Sequence, residues 1–294
     1  MADNPDEPLG EELRPKAGAP RGAEAKGADA PARRLRDNLP LSGRHALVTG
    51  GGRGIGAAVA RHLLGLGADV TITGRDAGRL AGAVARLSAQ GRVQAVSMDV
   101  ADAAAIEAGF SQAAGAFGPV AILVNNAGIA QAAPFARTDL AMWDDIMRTD
   151  LTGAFLCAKA AVPMMLTAGW GRVVNVASTA GLTGLAYCTA YCAAKHGLIG
   201  LTRALARELA TKPVTVNAVC PGYTETDIVE TTLDNIVAKT GRTREDALAD
   251  LVAGNPQKRL IQPAEVAEAV GWLCLPGSAS ITGQSIAVAG GEVM

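Results

Sequence analysis

The stretch from Ser178 to Lys195 brings a hydroxyl, a phenol and an amine into one short segment. Tyr191 and Lys195 are four residues apart, so on a helix they share one face with their Cβ atoms about 5–6 Å apart. A cation beside a phenol favours the phenolate. It should lower the pKa of the phenol from about 10 toward the range in which a general acid or base works. The spacing therefore predicts acid–base chemistry centred on Tyr191.

Ser178 follows an apolar run at 173–176 that predicts a buried strand. Its hydroxyl would then emerge at the carboxyl end of that strand, where ligands bind in open α/β sheets. A Tyr-x-x-x-Lys pair alone is common on exposed helix surfaces. Its functional interpretation therefore depends on the rest of the chain.

Composition limits the possible classes of protein. The 294 residues are 49% hydrophobic and 19% charged, which is enough for a sizeable core in one large α/β domain or two small ones. The net charge of −1 and the scattered Lys and Arg residues give no basis for expecting a nucleic-acid partner. The five cysteines form no C-x-x-C pair and the three histidines are scattered, so we predict neither a disulfide nor a metal site.

Three stretches of the sequence bear on membrane insertion, targeting and order. The most apolar stretch, 151–170, is interrupted by Lys159 and Pro163, so we expect no membrane span. The first ten residues lack the basic-then-apolar pattern of a signal peptide and are too acidic for a transit sequence, so we expect a cytoplasmic protein. Residues 1–40 are rich in proline and have no aromatic residue, which predicts a disordered N-terminal tail.

A glycine-rich stretch follows the first predicted strand. Apolar residues 45–49 run into Thr49-Gly-Gly-Gly-Arg-Gly-Ile-Gly56, and apolar residues at helical spacing follow from Ile55 to Leu66. Glycine lets backbone amides and a helix N-terminus approach a pyrophosphate closely. A strand, a glycine turn and a helix in this order predict a dinucleotide site.

Strand and helix patterns alternate along the rest of the chain. Further strands are predicted at 69–73, 93–98, 120–124, 173–176, 214–219 and 285–289, with helices between most of them. The alternation predicts an α/β protein: a single doubly wound, Rossmann-type domain with a seven-stranded parallel sheet and helices on both faces. This dinucleotide-binding and catalytic domain would span 41–294. Its polar segment 223–262 would form a lid over the cleft.

The motifs together resemble the short-chain dehydrogenases/reductases from about Leu41 to the C-terminus. They are Thr49-Gly50-x-x-x-Gly54-x-Gly56, Asp99, Asn125-Asn126-Ala127-Gly128, Ser178, Tyr191-x-x-x-Lys195 and Pro221-Gly222. The resemblance implies that Tyr191 donates a proton to a substrate carbonyl oxygen and that Ser178 hydrogen-bonds the same oxygen. It implies that Lys195 lowers the pKa of the phenol and binds the nicotinamide ribose. It also implies hydride transfer from the nicotinamide to carbon, and a homotetramer.

The resemblance further implies a cofactor-binding set. Asp99 and Val100 would border the adenine, 126–128 would line the cofactor, and Thr226 would approach the carboxamide. The predicted cofactor-binding residues are Gly50, Arg53, Gly54, Ile55, Gly56, Arg75, Asp99, Val100, Asn126, Ala127, Gly128, Tyr191, Lys195, Pro221, Gly222, Thr224 and Thr226.

The end of the second predicted strand bears on the choice of cofactor. NAD-specific relatives have a carboxylate there, whereas this chain reads Gly74-Arg75. Arginine binds phosphate through charge-assisted hydrogen bonds, and Arg53 could supply a second cation to a 2′-phosphate. We therefore predict that NADP(H) is preferred, with NAD(H) possible.

Two positions depart from the family pattern. Asp150 stands where Asn is usual, and Ala289 stands where Asp is frequent. We group Asp150 with the predicted catalytic residues Ser178, Tyr191 and Lys195. The hypothesis is that its backbone carbonyl holds a water that links Lys195 to solvent, a role that any residue's carbonyl can fill. The charge of its carboxylate near Lys195 would stabilise the ammonium and compete with Tyr191 for its influence.

The sequences around Ser178, Tyr191 and Pro221 look most like those of aromatic-polyketide ketoreductases and 3-hydroxyacyl-thioester dehydrogenases. We therefore expect an NAD(P)-dependent oxidoreductase that interconverts a ketone and a secondary alcohol on a small-molecule substrate, a 3-oxoacyl thioester or a polyketide-like ketone. Two alternatives stay open: a dehydrogenase of a small cyclic or sugar alcohol, and a non-catalytic nucleotide-sensing module. A sensor would need none of the three catalytic groups.

Overall fold

The structure is a computed structural model that describes residues 38–293. Residues 1–37, most of the predicted disordered tail, lie outside the described residues. The described chain begins in turns, and Leu41 is already fully buried in the core. Leu41 also donates a backbone hydrogen bond to Leu66, at the end of the first helix. The packed part of the chain therefore begins close to the predicted boundary.

Seven parallel strands form one sheet. They are β1 His45–Thr49, β2 Asp69–Gly74, β3 Val93–Ser97, β4 Val120–Asn125, β5 Gly171–Val176, β6 Val214–Pro221 and β7 Ser285–Val288. Their order is β3-β2-β1-β4-β5-β6-β7, so β1 and β4 are neighbours although two strands separate them in sequence. The chain changes direction at this pair, and such a switch leaves a crevice at the carboxyl ends of the strands. The predicted seven-stranded parallel sheet is confirmed.

Helices cover both faces of the sheet. They are α1 Gly54–Gly65, α2 Ala77–Leu87, α3 Ala103–Phe117, α4 Leu140–Met147, α5 Gly153–Ala168, α6 Thr189–Glu208, α7 Asp227–Thr240, α8 Arg244–Leu251 and α9 Pro263–Cys274. Successive strand residues point to opposite faces, so Val48 packs with α1, α2 and α9, and Leu47 with α3 and α5. Both faces are buried, which explains why the strands read as continuous apolar runs.

The apolar segment between β4 and β5 is helical for most of its length. A π-helical turn, Arg148–Thr152, joins α4 to α5. By length and composition alone, Leu140–Ala168 could cross a membrane. The interruptions at Lys159 and Pro163, on which the expectation of no span was based, do not rule this out. However, Cys157 and Met165 pack in the core with strand residues of the sheet. These contacts are those of a core helix.

The predicted lid segment, 223–262, contains α7 and α8. Val229 and Leu233 of α7 pack against Ala247 and Leu251 of α8, which gives the segment a small core of its own. Arg244 also forms ion pairs with carboxylates of α7. The segment is therefore a helical hairpin beside the cleft, and its role as a lid stays a prediction.

Candidate active site

The glycine-rich loop after β1 is tied to the loop after β4. Thr49 Oγ1 accepts hydrogen bonds from the backbone amides of Asn126 (2.9 Å) and Ala127 (3.0 Å). Asn126 Nδ2 donates to the carbonyl oxygens of Thr49 (2.9 Å) and Gly50 (3.3 Å). A Cβ on Gly56 would lie 2.3 Å from the Gly50 oxygen, so only glycine fits there. This close packing leaves a cradle at the N-terminus of α1 that fits the pyrophosphate of a dinucleotide.

The packing at Gly56 leads to a prediction about cofactor affinity. Gly56→Ala is expected to weaken cofactor binding about tenfold or more, because overpacking against fixed backbone costs about 1–3 kcal/mol. Gly52→Ala is the matched control, since its Cβ would lie 3.5 Å from Arg79 Cγ, an ordinary contact. Fluorescence titration with NADPH, alongside melting temperatures, checks both variants. Equal affinities for the two would contradict this account of the loop.

The other predicted cofactor-binding residues of the glycine-rich loop lie in the turn between β1 and α1 or at the start of α1. Gly50 and Gly54 have φ values of 65° and 52°, a left-handed conformation that glycine adopts without strain. Ile55 lies in the first turn of α1. Thr226 Cγ2 is 3.3 Å from the position of a Cβ on Gly54, so the start of α7 contacts this loop.

The segment from β6 to α7 forms the far wall of the cleft. Pro221 ends β6, and Thr224 Oγ1 donates a hydrogen bond to the Gly222 oxygen at 2.9 Å. Thr226 Oγ1 donates to the Thr224 oxygen at 3.2 Å. These bonds shape a turn that passes from the sheet edge to the glycine loop.

Asp99 and Val100 lie just beyond β3. Asp99 Oδ1 accepts a hydrogen bond from the Ala101 amide at 3.0 Å, which fixes the carboxylate at the start of the turn. Val100 is buried, and its carbonyl oxygen would lie 2.8 Å from a Cβ on Gly153, the first residue of α5. Their proposed contact with adenine stays a prediction.

The predicted phosphate-binding arginines lie in different surroundings. Arg75 is exposed directly after β2. Arg53 Nη1 lies 2.8 Å from Asp227 Oδ2, so Arg53 is paired with the first residue of α7. The sequence analysis did not single out Arg79, whose Cγ lies near Gly52 in the glycine loop. Its position in the first turn of the helix that follows β2 was the available signal.

Lys195 lies at the centre of the predicted catalytic group and is 4% exposed. Its Nζ donates to the Val176 oxygen at 3.1 Å, lies 3.2 Å from Asp150 Oδ2, and is 5.5 Å from the centre of the Tyr191 ring. Lys195 and Tyr191 therefore share one helix face, as their spacing predicted. α6 begins at Thr189, which places Tyr191 in its first turn.

Ser178 caps the short 3₁₀ turn that follows β5. Its Oγ accepts a hydrogen bond from the Ala180 amide at 3.1 Å. The hydroxyl also hydrogen-bonds the Tyr191 phenol, which acts to lower the pKa of Tyr191. The structure thus brings Ser178, Tyr191 and Lys195 together at the carboxyl edge of the sheet.

The pKa of Tyr191 is raised, not lowered. Burial raises it, and the charge of Asp150 adds to this, while Lys195 acts in the opposite direction. The prediction that Lys195 would bring the phenol toward neutrality is therefore wrong in net direction. The four-residue spacing predicted that Lys195 lies beside Tyr191, but it could not predict the burial of the phenol or the position of the Asp150 carboxylate. A raised pKa keeps the phenol protonated at neutral pH, the form that a general acid needs.

The side chain of Asp150 is buried, and the residue is 1% exposed. Its Oδ1 accepts a hydrogen bond from the Ile129 amide at 2.8 Å, and its Oδ2 faces Lys195. Burial raises the pKa of Asp150 against the effect of Lys195. Burial also acts to lower the pKa of Lys195, but the charges of Asp150 and Tyr191 outweigh it and the pKa is raised. The ion pair is the carboxylate–ammonium interaction that the sequence hypothesis allowed for, while the role of the backbone carbonyl stays a prediction.

The π-helical turn positions Asp150. It adds a residue to the turn between α4 and α5, and such turns are frequent at functional sites. A Cβ on Gly128 would lie 2.8 Å from Asp150 Oδ2, so Gly128 leaves the space that the carboxylate occupies. The loop after β4 and the π-helical turn together enclose the ion pair.

Tyr187 lies in the loop that leads into α6, with its side chain on the surface. It precedes α6, is 66% exposed and has a φ of 66°, an uncommon conformation for a bulky residue. Its carbonyl accepts a hydrogen bond from the Ala133 amide at 2.8 Å. This bond joins the loop after β4 to the loop that leads into Tyr191.

A glycine cradle for phosphate and a buried phenol–ammonium pair, set at one edge of a doubly wound sheet, define a nucleotide-dependent oxidoreductase. The chain belongs to the short-chain dehydrogenase family. The family model described as short chain dehydrogenase matches residues 44–236.

Known proteins of this family are similar over most of their length. The chain is 39% identical to the 3-oxoacyl-(acyl-carrier-protein) reductase FabG of Vibrio harveyi, covering 87% of this chain and 100% of that protein. It is 36% identical to a D-beta-hydroxybutyrate dehydrogenase of Rhizobium meliloti, covering 84% and 97%. A crystal structure of an actinorhodin polyketide ketoreductase variant with NADPH superposes with a TM-score of 0.82 at 37% identity, covering 85% and 97%.

Proposed function

We propose that the protein is an NADP-preferring ketoreductase that interconverts a ketone and a secondary alcohol on a 3-oxoacyl thioester or polyketide-like substrate. The observation that carries the proposal is that Tyr191 lies beside both Lys195 and Ser178, close to the glycine cradle. The names of the reductase relatives support the substrate class, and the NADPH in the ketoreductase structure supports the cofactor.

The bound reduced nicotinamide supplies a hydride to the carbonyl carbon. Tyr191 gives its phenolic proton to the carbonyl oxygen, so a ketone, a hydride and a proton give the alcohol. Ser178 accepts from Ala180 with an oxygen lone pair. Its proton, which is directed to the Tyr191 phenol, would be donated to the carbonyl oxygen of a bound ketone. Solvent then returns a proton to Tyr191.

Lys195 stabilises the phenolate that Tyr191 becomes and would hold the nicotinamide ribose. Asp150 keeps Lys195 charged and in place through the ion pair at 3.2 Å. Asp150 is therefore a positioning residue, because it acts through Lys195 and not on the substrate.

A substrate panel tests this proposal. Cofactor absorbance is followed with NADPH and the N-acetylcysteamine thioester of 3-oxobutanoate, a bicyclic aromatic ketone, cyclohexanone and a ketose. We expect the thioester or the aromatic ketone to give the highest kcat/KM. Oxidation of NADPH by none of them would contradict an enzyme and favour the sensor alternative. A clear preference for cyclohexanone or the ketose would favour the small-alcohol alternative.

The cofactor preference is tested separately. We expect the wild type to have a higher kcat/KM with NADPH than with NADH, and Arg75→Ala to reduce that ratio about tenfold, because one charge-assisted contact is lost. Arg86→Ala, an exposed arginine near the end of α2, is the control and should leave the ratio unchanged. Equal or better use of NADH by the wild type would overturn the preference.

We also infer a cytoplasmic homotetramer. Large apolar side chains stay exposed along α4 and α5, among them Leu140, Phe155 and Leu166, and this supports a subunit contact there. Light scattering that gave the mass of a single chain would contradict the tetramer.

The Arg53–Asp227 ion pair joins the glycine loop to α7 and supports the lid role of 223–262.

A further inference from the structure

The turn after β7 places a carboxylate beside the cleft. Gly290 and Gly291 have φ values of 62° and 91°, and the Glu292 amide donates to the Ala289 oxygen at 3.1 Å, so the chain folds back toward the sheet edge. Glu292 Oε2 then lies 2.8 Å from the position that a Cβ on Gly222 would take. The carboxylate thus occupies space that any side chain at Gly222 would fill.

The same carboxylate contacts the turn that carries Ser178. Burial raises the pKa of Glu292, and a side-chain hydrogen bond with Thr179, the residue after Ser178, acts to lower it. Thr179 follows β5 and Gly222 follows β6, and these strands are neighbours in the sheet. Glu292 therefore lies at the carboxyl ends of β5 and β6, the strands that lead to Ser178 and Gly222.

Glu292 also changes the charge of this end of the cleft. Burial raises the pKa of Tyr223, and the charges of Cys188, Glu292 and Tyr191 add to this effect. Lys195 is balanced by its ion pair with Asp150. A carboxylate at Glu292 therefore adds negative charge at this end of the cleft.

We propose that Glu292 is a specificity-determining residue that repels anionic groups near the reacting carbonyl and so selects 3-oxoacyl esters and thioesters over the free 3-oxo acids. The inference rests on the proposed function. A free 3-oxo acid carries a carboxylate two carbons from its ketone, whereas an ester or thioester is neutral there. Like charges brought together inside a cleft of low dielectric repel strongly, and such repulsion acts on specificity.

Two probes that differ in this charge test the proposal. The kcat/KM for NADPH-dependent reduction of ethyl 3-oxobutanoate and of 3-oxobutanoate is measured at neutral pH for the wild type and Glu292→Gln. We expect the wild type to prefer the ester. Glu292→Gln should raise kcat/KM for 3-oxobutanoate about tenfold, because the repulsion is removed, and leave that for the ester within about twofold. Glu292→Asp should keep the wild-type ratio, and so should Glu208→Gln, an exposed acid at the end of α6.

The outcomes separate the two claims. An unchanged ratio in Glu292→Gln, with the ester still reduced, would overturn the inference and leave the proposed function intact. Equal losses of kcat/KM for both probes would show that Glu292 only holds the two turns in place, and this result would also overturn the inference. Reduction of neither probe by the wild type, nor of any ketone in the panel, would contradict the proposed function itself. Melting temperatures of all variants establish that each one is folded.

Discussion

Tyr191→Phe is expected to fold and bind cofactor as the wild type does, while turnover falls about 10²–10⁴-fold, the usual contribution of a general acid. The ring packs beside Ile146, Ala190 and Ala194, contacts that phenylalanine keeps. Only the hydroxyl is lost, and with it the proton for the carbonyl oxygen. Ser178 still hydrogen-bonds that oxygen and the nicotinamide still supplies the hydride, so some activity should remain.

Single-turnover reduction, in which chemistry limits the rate, measures this loss. Tyr187→Phe is the matched control, because it removes an exposed phenol from the loop that leads into the same helix. It should change the rate by less than about threefold, since an exposed surface hydroxyl far from any partner contributes little. A loss below about tenfold in Tyr191→Phe, or equal losses in the two variants, would show that Tyr191 is not the acid.

The pH dependence follows from the direction of the Tyr191 shift. Burial raises the pKa of the phenol, so the protonated form persists through neutral pH. Ketone reduction should therefore be flat near neutrality and decline only as the pH rises through that pKa. Alcohol oxidation needs the phenolate and should increase over the same interval.

Local patterns were sufficient to predict the fold. Apolar runs such as 120–124 predicted strands because both faces of a parallel sheet are buried, and the alternation of such runs with helices predicted the parallel order. The contact between Tyr191 and Lys195 was also predictable, since both residues lie on one helix and four-residue spacing fixes their relation.

Contacts between distant segments were not predictable in the same way. The Asp150–Lys195 ion pair depends on a π-helical turn, and no residue type signals that extra residue. The pairing of Arg53 with Asp227 and the approach of Glu292 to Gly222 join segments far apart in sequence. Such contacts are set by how the elements pack, so charge and burial at the site became known only with the fold.

Asp150→Ala is expected to lower the free energy of unfolding by about 3–5 kcal/mol, because removing one partner of a buried ion pair leaves the other charge buried and uncompensated. Lys195 would keep only the Val176 oxygen as a partner at 3.1 Å, and Ile129 would lose the acceptor of its amide. Urea unfolding of the wild type and the variant at neutral pH measures the difference. A loss below about 1 kcal/mol would mean that the pair is not buried as the structure has it.

The double variant Asp150→Ala with Lys195→Met separates the unpaired charge from the lost packing. Replacing both partners of a buried pair by apolar groups is often close to neutral, so this variant should regain most of the stability that Asp150→Ala loses. Purely additive losses would show that packing, and not the buried charge, explains the effect. Lys195→Met alone should also lose turnover and cofactor affinity, because Lys195 serves both.

Asp150→Asn distinguishes positioning from participation in the chemistry. Asparagine keeps an oxygen for the Ile129 amide but not the negative charge beside Lys195. We expect kcat within about tenfold of the wild type, a barrier change below about 1.4 kcal/mol. Because the charge of Asp150 raises the pKa of Tyr191, its removal should move the high-pH decline of reduction to lower pH. A loss approaching that of Tyr191→Phe would mean that the carboxylate itself exchanges a proton during turnover, and Asp150 would then be more than a positioning residue.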